Sequence, residues 1–167
     1  MNMGTELKTE IRRVNGYLKE VVTFLDASGK PISQVMNPLM VELKPRDVLQ
    51  IFVGAFLVAA PLAFTEEVWN LSVELKRQNV FALGGVSMVT VAMFIYLNFY
   101  RFKLKGNVFE FVKRIFATYL ITISSIVMLL ALIDKFPYET DPIVAVKRVI
   151  IIGFPAAFGG VISDYLR

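Results

Sequence analysis

The chain has 167 residues, 56% of them hydrophobic and 19% charged, with a mean hydropathy of +0.60 and a net charge of +4. It contains no cysteine and no histidine, which excludes disulfides, thiol nucleophiles, zinc held by sulfur or imidazole, and imidazole proton shuttles. Most familiar enzyme chemistry goes with them, so no enzyme and no cofactor is expected, and a metal site is left undefined.

Near the N terminus, Leu7, Ile11, Val14, Leu18, Val21 and Leu25 recur at a 4-3-4-3-4 spacing between charged residues, with Thr5 in place to cap. This pattern predicts an amphipathic helix to about Lys19. Its apolar stripe suits oligomerisation, a membrane surface, or packing on the segment that follows. That segment reads as a hairpin: Val21 to Leu25 is rich in β-branched and aromatic residues, and Asp26-Ala27-Ser28-Gly29-Lys30-Pro31 supplies turn chemistry before Ile32 to Met36. Asn37-Pro38 and Lys44-Pro45 then mark a linker, and Asp47 sits where a negative charge offsets the dipole of the next helix. The predicted division is a soluble segment, 1–46, and a membrane domain, 47–167. Met1 to Val14 is polar, so no cleavable signal peptide is expected.

Four stretches then lack charge: Val48 to Thr65, Gln78 to Tyr100, Ile115 to Ile133, and Val149 to Ser163. None carries a polar face at the helical period, and each is read as a transmembrane helix. The predicted fold is therefore an all-α membrane protein of four transmembrane helices with a small N-terminal cytoplasmic helix-hairpin segment. In the first span Ala55, Ala59 and Ala63 recur every fourth residue, Pro61 predicts a bend, and Glu66 and Glu67 follow Thr65 directly. The row of alanines suits either close helix packing or a narrow lumen that leads to Glu67.

The second span ends in Tyr96, Phe99, Tyr100 and Phe102, as an interfacial belt does. Thr118, Thr122, Ser124 and Ser125 in the third span are expected to bond back to their own helix or to hold neighbouring helices, rather than to line a path. The fourth span has a short charge-free core, so its helix is expected to start near Ile143. Lys147 and Arg148 then reach the membrane interface at the depth of Glu66 and Glu67. Pro155 lies among small residues in Gly153-Phe154-Pro155-Ala156-Ala157-Phe158-Gly159-Gly160.

Basic residues crowd the N-terminal segment and the loop holding Arg101, Lys103, Lys105, Lys113 and Arg114, and Arg167 adds to the same side. The opposite side has Lys76, Arg77, Lys135, Lys147 and Arg148. This imbalance predicts a multi-pass cell-membrane protein with both termini in the cytoplasm. It also explains the basic balance without a nucleic-acid partner.

Asn37-Pro-Leu-Met-Val-Glu-Leu-Lys-Pro-Arg-Asp47, Gly54-Ala55, Pro61-Leu-Ala-Phe-Thr-Glu-Glu-Val-Trp-Asn-Leu-Ser72 and Lys147-Arg148 before Phe154-Pro155-Ala156 are the most distinctive runs. With them the chain, from roughly Val22 to Leu166, resembles a family of prokaryotic integral membrane proteins of unknown function. The resemblance implies a multi-span membrane protein and carries no activity, cofactor or catalytic residue.

From the residues, two functions are expected. One is a homo-oligomeric cation channel, with Glu66 and Glu67 as an acidic outer mouth and Thr65, Pro61 and Pro155 as further ion-binding or pore residues. Lys147, Arg148 and Asp164 are then charge partners, and the expected partners are the lipid bilayer, other copies of the chain, and inorganic cations. The alternative is a non-transporting membrane scaffold or sensor whose cytoplasmic N-terminal segment binds a partner.

Overall fold

The computed structural model describes residues 6–15, 17–26, 28–38, 42–101 and 104–166. Thr5 as a cap, Phe102 in the aromatic belt, and Lys103 and Arg167 in the charge count lie outside the described residues. The chain divides into two compact units, Met1–Glu42 and Leu43–Arg167.

The first unit is a three-stranded antiparallel sheet, β1 (Glu6–Val14), β2 (Tyr17–Leu25) and β3 (Pro31–Pro38), in that order. The helix expected up to about Lys19 is instead a strand pair. The physical reason lies in Asn15-Gly16: Val14 pairs with Tyr17, and Asn15 adopts φ 54. Asn-Gly between strands is the sequence of a tight hairpin turn that twists with the sheet, and it cuts the 4-3 stripe in two. β-Branched Thr9, Ile11, Val14, Val21, Val22 and Thr23 then favour the extended state that the turn starts.

The second hairpin follows the sequence reading. Gly29 takes φ 78 at its turn. The Asp26 carboxylate accepts from the Ser28 amide (2.8 Å), the Ser28 hydroxyl (2.6 Å) and the Lys30 amide (2.9 Å). Hydrogen bonds to the charged form, first from the Ser28 side chain and then from the backbone of Lys30 and Ser28, hold the Asp26 carboxyl below its ordinary value. A folded-state value below the unfolded one gives stability that is present above the ordinary carboxylate range and lost as pH falls through the lowered value. Protection of the Ser28 and Lys30 amides, measured as exchange relative to the intrinsic rate at each pH, should therefore be present near neutrality and lost in acid. Asp26→Asn should show the lower protection near neutrality.

The second unit is helical: α1 (Pro45–Ala63), α2 (Glu66–Glu74), α3 (Arg77–Ile95), α4 (Val108–Leu132) and α5 (Pro142–Tyr165). A π-helical turn, Tyr96–Tyr100, ends α3. The first, third, fourth and fifth helices, with that turn included, are long and apolar enough to cross a membrane. Local chemistry fixes their ends. Pro45 and Pro142 lie in first turns, where a missing N–H costs nothing. The Asp141 carboxylate accepts from the amides of Ile143 (3.1 Å) and Val144 (3.0 Å). At the end of α4, Asp134 takes φ 54, so that its own amide bonds to the Ala131 carbonyl and that of Lys135 to the Leu130 carbonyl. This left-handed cap stops the helix and swings Lys135 back over it.

The core sits where α1 meets α5 and α4. Ala55, Ala59 and Ala63 are fully buried beside Ile126, Leu130, Ile152 and Ala156. The alanine row is thus the close-packing face of α1, and side chains fill the space a lumen would need. Contact is tightest at glycine. A Cβ built on Gly159 would lie 2.6 Å from the Gly54 carbonyl oxygen and 2.5 Å from the Val58 side chain, and one on Gly54 would collide with the Gly159 carbonyl. In lipid, where helices gain nothing from leaving water, such backbone approach is a main source of association. Gly159→Ala should lower stability by about 1–3 kcal/mol, the usual range for overpacking. The check is thermal unfolding in detergent against Gly85→Ala, where a Cβ meets nothing within 4 Å.

Candidate functional site

Spans that alternate in direction give the bundle two polar ends. At one lie α2, the start of α3 and the turn between α4 and α5. At the other lie the start of α1, the π-helical turn, the start of α4 and the end of α5.

At the α2 end, Pro61 stands in the last turn of α1, and the chain leaves the helix after Ala63. The Thr65 hydroxyl donates to the Leu62 carbonyl (2.8 Å), and Trp69 Nε1 donates to the Ala63 carbonyl (2.9 Å). Thr65 and Trp69 therefore satisfy carbonyls that the end of α1 leaves open. Glu66 and Glu67 form the first turn of α2, where negative charge complements the helix dipole, and both are exposed. Among the described residues no three carboxylates, histidines or cysteines gather closely enough to hold a metal ion.

Lys147 and Arg148 stand at the same end, as expected, but their partners differ from the expected carboxylates. Lys147 Nζ donates to the Val73 carbonyl at 3.2 Å. Arg148 Nη1 donates to the Lys135 carbonyl at 2.6 Å, while its Nε and Nη2 meet the Ser72 hydroxyl at 3.3 and 3.2 Å. The Ser72 hydroxyl in turn donates to the Trp69 carbonyl at 2.6 Å, and the Lys135 ammonium lies 4.3 Å from the centre of the Trp69 ring. Neutral acceptors and a ring face thus hold these cations. Arg148 ties α2 and the α4–α5 turn to α5, a structural task that a guanidinium with several fixed donors performs well.

The other end holds a cluster that the sequence reading did not assemble. Arg114 is completely buried, and its Nη2 and Nε bond to Asp164 Oδ2 at 2.7 and 3.1 Å. Asp47 Oδ2 lies 3.6 Å from Arg114 Nη2 and accepts from the Lys44 amide at 3.0 Å. The Phe99 ring covers the guanidinium at 3.9 Å, a position the π-helical turn gives it. Three elements, α1, α5 and the π-helical turn, thus converge on one arginine of α4. Asp164, named with Lys147 and Arg148 as a charge partner, lies on the same helix about 24 Å from them by helical rise and pairs with Arg114 instead. The missed signal was positional: Asp47, Arg114 and Asp164 lie within the first or last two turns of three spans, at ends that alternation places on one side.

Pro155 lies inside a continuous α5, and Pro61 in the last turn of α1. Thr118, Ser124 and Ser125 bond back to carbonyls four residues earlier, at 2.9, 2.8 and 2.8 Å.

The family described as "Putative integral membrane protein (DUF2391)" matches residues 27–163. The chain belongs to this family. It is an integral membrane protein, and its four apolar helices are the spans. No curated protein and no solved structure matches it.

Removing one partner from a buried ion pair costs about 3–5 kcal/mol. Arg114→Met, which takes away the cation two carboxylates share, should lower the unfolding temperature in detergent sharply. Asp164→Asn should do so less, and Glu67→Gln not at all.

Proposed function

We propose that this protein is a non-transporting membrane scaffold or sensor, in which the four-span bundle anchors an N-terminal sheet that binds a partner. The observation that carries this reading is the state of β3. Among the described residues it has a strand neighbour on one side only, and Ile32, Val35 and Met36 are 66%, 47% and 49% exposed. An open edge strand with apolar side chains is a ready surface for strand addition or for a partner's apolar face, and soluble proteins normally blunt such edges. The filled seam between α1 and α5 supports the same reading, as the alanine row of α1 packs against side chains instead of lining a lumen. The reading involves no enzyme chemistry. It sets the protein in the cell membrane with both termini in the cytoplasm, on the strength of the basic residues flanking the spans.

A second reading, transport of cations by a homo-oligomer, is favoured by the exposure of Glu66 and Glu67 at the mouth of the bundle. Repeated around a symmetry axis between subunits, they would make an acidic ring that concentrates cations, divalents above monovalents.

Three measurements separate these readings. Reporters fused after Arg167 and within 103–113 should read cytoplasmic, and one within 66–76 external. A photo-crosslinker at Val35 in cells should give a discrete adduct that Ile32→Lys abolishes. Purified protein in liposomes should pass no cation at any pH or voltage. Flux that falls several-fold in the Glu66→Gln/Glu67→Gln variant at low salt, with no adduct at Val35, would establish transport instead.

A further inference from the structure

The α2 end of the bundle carries a second feature that neither reading uses. Two clefts along α3 and α5 adjoin at Phe81 and Ile150, which line both, and are taken together as one groove. The part nearer α2, about 350 Å³, has Arg77 and Lys147 in its wall beside Pro142 and Val146. The deeper part, about 290 Å³, runs over Gly84 and Gly85 toward Tyr119 of α4 and Phe154 of α5. Among the described residues no carboxylate lines either part. The room comes from the glycines: a Cβ on Gly85 would meet nothing within 4 Å, and one on Gly84 only the Ile150 side chain, at 3.3 Å.

We propose that this groove is a binding site for one anionic phospholipid, with the phosphate between Arg77 and Lys147 and an acyl chain laid along Gly84 and Gly85. The charge pattern selects this occupant. A groove with two cations at its interfacial end and apolar walls below complements a molecule with an anion at one end and hydrocarbon at the other. Length agrees: from Arg77 to Met88 the helix rises roughly 16 Å, about half the hydrocarbon core and so one leaflet. Both cations have donors to give. Lys147 spends one of its three on the Val73 carbonyl, and Arg77 is exposed and forms no ion pair among the described residues. The site stands whether the protein is a scaffold or a transporter.

Native mass spectrometry of the delipidated full-length protein in detergent, titrated with phosphatidylglycerol or phosphatidylcholine, tests it. One phosphatidylglycerol should be retained in preference to phosphatidylcholine. Arg77→Gln, at an exposed position that leaves the fold intact by thermal unfolding, should weaken phosphatidylglycerol about fivefold and leave phosphatidylcholine unchanged. Arg77→Lys should restore the preference, and Gly85→Leu should weaken both lipids by filling the groove. Equal retention of the two lipids, or no effect of Arg77→Gln, would overturn the proposal. So would inorganic phosphate competing as strongly as the lipid, since the ligand would then be a free anion.

Discussion

The bundle depends on the place where the backbones of α1 and α5 touch. Gly54 and Gly159 remove the side chains that would hold two helices at ordinary spacing, and Ala55, Ala59 and Ala156 keep the seam thin on either side of it. Because lipid offers helices no hydrophobic reward for pairing, the dispersion gained at this spacing has to do what burial does in water. Its reach extends beyond the seam. Asp47 begins α1 and Asp164 ends α5, and only when the two axes run this close do both carboxylates meet the same guanidinium.

The two ends of the bundle solve the problem of buried charge differently. Arg114 is met by carboxylates and an aromatic face, which suits a side chain with no exposure at all. Arg148 and Lys147 are met by carbonyls and a hydroxyl, so neutral groups rather than carboxylates fix their geometry. The carbonyl of Lys135 is available because Asp134 takes a left-handed conformation and ends α4 abruptly. A backbone detail of one turn thus decides how a cation on another helix is held.

Spans were legible in the sequence because a helix of that length in water needs a polar face, and these charge-free runs have none. The hairpin after Leu25 was legible because Asp, Ser and Gly each have a defined task in a turn, and all three appear. The first hairpin was misread because a seven-residue apolar repeat outweighed a two-residue signal, although Asn15-Gly16 carries the stronger constraint: backbone geometry admits few alternatives, whereas apolar spacing over two turns of helix also fits a pair of strands. Glu66 and Glu67 drew attention as adjacent acids, yet adjacency on a helix points side chains apart. Asp47, Arg114 and Asp164 are far apart in sequence, and each had a sufficient local role as a span boundary. Their meeting is a property of helix packing, which no local pattern encodes.

The distribution of charge along α5 bears on how the protein is made. This helix brings Lys147, Arg148 and Asp164 into its 24 residues, with both prolines that it holds, Pro142 and Pro155, adding no stability of their own. Alone in lipid it would expose ionised groups near both faces of the membrane, and such groups weigh heavily against insertion. Their partners, Ser72, Lys135 and Arg114, all belong to segments synthesised earlier. This helix therefore enters a membrane in which its counterparts are already waiting, and the order of translation becomes part of the folding pathway.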